Sequence, residues 1–238
     1  MKTRSVSTAA FIFAWPFLLL ASHSLAQEPA LSPAPESPSS RGLETPAAAV
    51  ATSPIAAPST QPNDAEMMQQ MMELSKLNEN HKLLGQLAGS WSYTVTLWMA
   101  PDAPPMKSAG TETRRAMMNG RYYMADVLGK IKMPGADGKL KDADFKGMSL
   151  EGYDNAKKKF VSAWIDNMGT GIIMLEGSYD EAAKTFTYDG EEEMMPGTKT
   201  KVRQVIKIVD KDHHTLEWYE DHGGQQVKTM EIEYTRKK

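Results

Sequence analysis

The sequence predicts an all-β fold, an antiparallel barrel of about ten strands preceded by one amphipathic helix. Three observations carry that expectation. From Gly89 onward the hydrophobic pattern has period two, turn signals recur at short and regular spacing, and no long helical pattern lies between them. Period-two alternation marks strands with one buried face. Short strands without intervening helices form barrels or sandwiches rather than βαβ layers.

The chain begins with features of an export signal. Met1 to Arg4 is positively charged, Ala9 to Ala21 is an apolar stretch of signal-peptide length, and Ser24-Leu25-Ala26 supplies small residues for cleavage. Residues 1–26 therefore read as a signal peptide cut after Ala26, and the protein as periplasmic or secreted. The competing reading is an uncleaved anchor; Pro16 and the polar Ser22-His23-Ser24 shorten the apolar run below a membrane span. Residues 27–63 hold eight of the 14 prolines and no aromatic residue. Such a Pro/Ala-rich segment cannot bury enough apolar area to offset its ordering entropy and is expected to be a disordered linker.

A helix is expected next, within a lead-in spanning 64–88. Asn63 is a capping residue with Glu66 three positions on, and Met67, Met71, Leu74 and Leu77 recur at helical spacing, as do Met68 and Met72. The pattern runs to about Leu84, and Gly85 stops it. The barrel domain then occupies 89–238. In its first strand Trp91, Tyr93, Val95 and Leu97 alternate with Ser92, Thr94, Thr96 and Trp98. Asn119-Gly120 signals a two-residue hairpin. Pro134-Gly135, Asp137-Gly138, Pro196-Gly197 and Gly223-Gly224 mark further reversals. An internal echo pairs Tyr153-Asp154-Asn155-Ala156-Lys157-Lys158-Lys159-Phe160 with Tyr179-Asp180-Glu181-Ala182-Ala183-Lys184-Thr185-Phe186. Two hairpins of the same build favour an up-and-down meander, hence a barrel.

Composition narrows the function classes. Lys2 and Arg4 fall in the leader, leaving 25 basic against 30 acidic residues. That mild acidity argues against nucleic acid or an anionic membrane surface as partner. Lys157-Lys158-Lys159 and Arg236-Lys237-Lys238 sit at a turn and a terminus, where they read as solvated. With no cysteine, disulfides, thiolate metal sites and a Cys nucleophile are excluded. No nucleophile elbow, phosphate-binding glycine loop or His-Glu-x-x-His motif occurs, so no enzyme is expected, no catalytic residue is assigned, and no cofactor is implied.

Gly89-Ser90-Trp91 opens the first strand and Arg236 closes the last, on the parity of Met230, Ile232 and Tyr234. In a closed barrel these ends meet, and the guanidinium can lie over the Trp91 ring. Gly89, Trp91 and Arg236 together resemble the structural signature of lipocalin-like (calycin) barrels. The stretch from His81 to Arg236, about two-thirds of the chain, resembles a bacterial family known only as a domain of unknown function, family 1579. The matching pieces are His81-Lys82-Leu83-Leu84 before Gly89-Ser90-Trp91, Trp98 with Pro101, Phe145-Lys146-Gly147, Gly152-Tyr153-Asp154, Trp164-Ile165-Asp166, and Met230-Glu231-Ile232-Glu233-Tyr234-Thr235-Arg236. The resemblance implies a lipocalin-like barrel and brings no activity with it.

Candidate ligand-binding residues are Trp98, Tyr153, Trp164, Asp166 and Trp218. Asp166 follows Trp164 by two and shares its face, so an aromatic cavity with one carboxylate would suit a small, largely apolar ligand with a polar or cationic group. The other face of that strand, Val161, Ala163 and Ile165, is apolar as well, and the rings can equally fill a narrow barrel. The alternatives are a protein-interaction or envelope-structural module built on the linker and Met-rich helix, and metal or haem binding. Met67, Met68, Met71 and Met72 have spacing that suits Cu(I) but also ordinary packing. His213, His214 and His222 lie at expected turns and read as exposed, while His81 reads as a hydrogen-bonding residue at a helix end. Glu191-Glu192-Glu193 reads as a solvated acidic edge.

Overall fold

The computed structural model describes residues 63–100, 103–135 and 139–238. The signal-peptide, cleavage and linker expectations for 1–62 lie outside the described residues. Ten strands follow in order: β1 (Gly89–Leu97), β2 (Met106–Met117), β3 (Tyr122–Pro134), β4 (Leu140–Asp154), β5 (Lys159–Asp166), β6 (Ile173–Asp180), β7 (Thr185–Met195), β8 (Thr198–Ile208), β9 (His213–His222) and β10 (Gln225–Arg236). Each pairs antiparallel with its sequence neighbours, and β1 pairs with β10, so the meander closes into the expected barrel.

The turns follow from local chemistry. After β4 and β6 the two echoed segments adopt the same reversal. Asp154 accepts from the Ala156 and Lys157 amides, Asp180 accepts from the Ala183 amide, and Lys158 and Lys184 take left-handed φ of 54° and 52°. Tyr153 faces Phe160 across one hairpin and Tyr179 faces Phe186 across the other. The Asn119-Gly120 reversal is longer than the expected two-residue turn. Met117 pairs with Tyr122, and Met118, Asn119 and Gly120 form a 3-10 turn with φ of 48°, 60° and 85°. Three successive left-handed residues make a wider loop than a type I′ turn, which has two.

The helical lead-in is interrupted between Leu74 and Glu79. Helix α1 (Asp64–Leu74) carries the Asn63/Glu66 capping box, and α2 (Glu79–Leu84) carries its own, from Asn78 and His81. Asn155 Nδ2 donates to the Leu74 and Lys76 carbonyls and Arg121 Nη1 to that of Ser75. These bonds satisfy acceptors that a continuing helix would have used. Leu84 and Leu87 insert against Phe160, Phe186, Tyr188 and Ile206 and plug one end of the barrel. Helix α1, by contrast, buries no residue.

Candidate ligand-binding site

Strand register fixes which side chains point inward, because faces alternate along each strand. At the plugged end the inward residues Trp91, Tyr123, Phe160, Phe186, Ile208 and Tyr234 are buried. Towards the opposite end, inward Val95, Leu97, Ile173, Leu216, Trp218, Met230 and Ile232 are only half-buried. Side chains on the inner wall gain exposure only from an interior space or its opening. In burial the barrel is therefore cup-like, sealed at the α2 end and partly exposed where β1 ends and β10 begins.

A polar group lies deep in this cup. Arg114 Nε donates to Glu112 at 3.1 Å and its Nη1 donates to Glu151 at 2.6 Å. All three side chains are at most 6% exposed. Burial works against the guanidinium charge, but the two carboxylates outweigh it and hold Arg114 cationic. Glu151 is pushed up by burial; Arg114 opposes this, and Glu112 adds to it. One guanidinium is thus shared by two carboxylates. Around it are three buried polar atoms without a hydrogen-bond partner: Ser149 Oγ, Tyr188 OH and His214 Nδ1. His214 stacks on Tyr234 with ring centres 4.2 Å apart and meets Trp91 edge-on at 4.3 Å. Burial, then Arg114 and Arg236, lower its pKa to about 3, so the ring is neutral at physiological pH.

Nearer the opening, Glu192 and Glu220 come to the same inner wall from β7 and β9, with β8 between them. Glu220 accepts from Thr229 Oγ1 at 2.9 Å. Burial first, and the Glu220 charge second, raise the Glu192 pKa to about 7. Glu192 is thus not part of a solvated edge as expected; Glu191 and Glu193 are exposed, and the residue between them turns inward. The measurable consequence is a Glu192 carboxyl that titrates near neutrality in carbon-detected NMR. In Glu220→Gln the midpoint should fall but stay above the ordinary value near 4.5, because burial is the larger cause. An ordinary midpoint in the unsubstituted protein would refute this placement.

The five candidate ligand residues do not form one group. Trp164 faces inward, near-parallel to Phe145 at 6.3 Å, and donates from Nε1 to Asp166 at 2.8 Å. Trp218 faces the same interior beside Leu216 and Glu220. Tyr153 sits at the plugged end, edge-on to His81 and Phe160. There it borders a surface groove of about 690 Å³ lined by Lys82, Lys158 and Glu181 together with Leu83, Phe160 and Tyr179, at the α2 end of the barrel. Trp98 lies on the outer face, where Lys228 sits 5.5 Å above its ring and pairs with Glu217 and Glu231.

Of the signature residues, Arg236 lies 4.0 Å over the Trp91 ring and donates to the Ala88, Gln86 and Lys211 carbonyls. Trp91 Nε1 donates to the Leu87 carbonyl. Gly89 has φ +130°, and a Cβ there would collide with Arg236 Nη1.

The histidines divide. His213 is exposed and bonds Asp210, and exposed His222 lies 3.3 Å from Glu220. His214 is not exposed as expected, because its side chain points into the barrel. His81 is a hydrogen-bonding residue, but in the first turn of α2 and buried, where burial, then Arg121, lower its pKa. The Met67, Met68, Met71 and Met72 side chains are 47–60% exposed. Among the described residues, no cluster of three or more His, Asp or Glu is placed to hold a metal, and no helix is long and apolar enough to cross a membrane.

Sequence reasoning missed Glu112, Arg114, Glu151, Ser149 and Tyr188. The available signal was weak: Glu112 and Arg114 share a parity in β2, and that parity faces inward only once Trp91 pairs with Glu112.

The architecture defines an up-and-down antiparallel barrel with one plugged end and a buried ionic floor. Residues 76–236 match the family model described as "Protein of unknown function (DUF1579)", and the chain belongs to that family. No curated protein matches the chain.

Proposed function

We propose that this is an exported carrier that holds a small, mostly apolar molecule in the cup without transforming it. The supporting observation is the gradient of burial along the inner wall, from sealed aromatics at the plugged end to half-exposed Val95, Leu97, Trp218, Met230 and Ile232 at the other. An apolar surface left wet inside a barrel gains free energy when a ligand covers it, about 25 cal/mol per Å². Trp164 and Trp218 stand in that zone and report its occupancy by fluorescence.

A second reading has its own observation. Helix α1 exposes Met67, Met68, Met71 and Met72, and the outer face of β4–β6 exposes Leu150, Ile165 and Met174. Solvent-facing apolar stripes of this kind mark interaction surfaces, which favours an envelope protein-interaction module.

Native mass spectrometry of the protein purified from its host's envelope separates the two. The carrier reading expects a stoichiometric small-molecule mass released on denaturation, on a mature chain beginning at Gln27. A clean ligand-free mass accompanied by a stoichiometric protein adduct would overturn it in favour of the interaction module.

A further inference from the structure

We propose that the polar floor of the cup receives the ammonium end of an amine whose apolar body lies along the half-buried wall. This rests on the carrier reading and names the ligand class. The first support is the set of unmet hydrogen-bonding groups. Ser149 Oγ, Tyr188 OH and His214 Nδ1 have no partner, and their residues are 6%, 0% and 3% exposed. They neighbour the ionic group: Ser149 is two residues from Glu151 on the same face of β4, Tyr188 lies within the field of Glu151 and Arg114, and His214 within that of Arg114 and Arg236. Buried polar atoms of native proteins are nearly always satisfied, so three orphans near one buried ion group point to a further hydrogen-bonding group there. A primary ammonium carries three donors and no acceptor. The two hydroxyls and the neutral imidazole each offer a lone pair.

Charge supplies the second, independent support. Glu112 and Glu151 share one guanidinium, so the floor holds two acidic groups to one cation. Between floor and opening the inner wall adds Asp166, Glu192 and Glu220. Apart from Arg114, held by its two carboxylates, and Arg236, held by three carbonyls over Trp91, the cations nearby face elsewhere. Arg203 pairs with Asp189 and Lys228 with Glu217 and Glu231, all on the outer face. Lys141 shares the inward parity only where the β3–β4 hairpin has run past the pairing of its neighbours. A carboxylate head would meet acidic groups along this route, and an alcohol would satisfy the orphans without pairing with those groups. An ammonium does both.

The test compares three probes of equal chain length, decylamine, decanol and decanoate, each titrated into the purified full chain at neutral pH below its micellar concentration. Isothermal calorimetry and Trp164/Trp218 fluorescence serve as readouts. Decylamine should bind roughly tenfold or more tighter than decanol, the scale of one charge-assisted hydrogen bond, and decanoate weakest. In Glu151→Gln the advantage of decylamine over decanol should vanish. Should that variant not fold, Ser149→Ala removes an unpartnered hydroxyl and should weaken decylamine several-fold. Decanoate binding as tightly as decylamine overturns the amine assignment and leaves the carrier reading standing. If none of the three binds, the amine assignment falls, and the carrier reading is decided by the native mass measurement.

Discussion

Arg114→Met should lower the unfolding free energy by about 3 to 5 kcal/mol, the usual cost of removing one partner from a buried ion pair. The reason is what stays behind. Glu112 and Glu151 are almost fully enclosed, and without the guanidinium each must either hold an uncompensated charge or bind a proton. Urea unfolding followed by tryptophan fluorescence measures the change. The deficit should shrink as pH falls, since protonation relieves the stranded carboxylates. A triple variant that also carries Glu112→Leu and Glu151→Leu should recover most of the loss, because apolar replacement of a whole buried ion group is often neutral or stabilising. A loss below about 1 kcal/mol in the single variant is incompatible with the buried triad, since that is the range of exposed pairs.

Trp91→Ala should cost a similar amount, about 3 to 5 kcal/mol, by emptying the largest ring position at the plugged end. Trp91 is 1% exposed and serves five neighbours: Arg236 above its face, His214 at its edge, the Leu87 carbonyl at its Nε1, and Tyr93 and Tyr234 within one cluster. Its removal leaves the Arg236 guanidinium hydrogen-bonded to three carbonyls but unstacked, a term of about 0.5 to 2 kcal/mol within the total. Trp91→Phe keeps a ring face and should lose about half as much. Thermal unfolding by circular dichroism distinguishes the two substitutions. Equal losses would mean that the Nε1 bond, which both variants lack, rather than the ring volume and the cation contact, sets the stability.

The strands were legible because their turns obey local rules. Asp154 and Asp180 write the same reversal twice, and the alternation of Trp91, Tyr93, Val95 and Leu97 leaves little doubt about the inner face of β1. Legibility failed where both faces of a strand have similar polarity. In β2, Thr111, Thr113 and Arg115 alternate with Glu112 and Arg114, so no hydrophobic contrast tells inside from outside; only the pairing Trp91 to Glu112 does so. The same ambiguity in β5 is settled by register, which turns Phe160, Ser162 and Trp164 inward and leaves Val161, Ala163 and Ile165 outside. His214 and Glu192 misled for a related reason. Each stands in a polar neighbourhood of sequence, yet strand parity carries it into the barrel. A β-bulge at Thr229 adds a shift that no periodicity reveals, since it turns Lys228 outward while Met230 stays inward.

The seam between β1 and β10 also governs the order in which the molecule can assemble. Nine of the ten strand pairings join neighbours through short reversals, such as Asp154 to Lys159. The tenth joins Ser92 to Thr235 across a separation of 143 residues. In an otherwise unstructured chain, closing so long a loop costs about 3 kcal/mol more entropy than closing the Asp154–Lys159 hairpin. Hairpins therefore zip first and the seam last, and contacts of such high sequence separation slow folding. Until the seam forms, β1 and β10 are two bare sheet edges, each able to recruit a strand from another chain. A nascent chain shorter than Arg236 has neither the clasp over Trp91 nor the partner that covers its first strand.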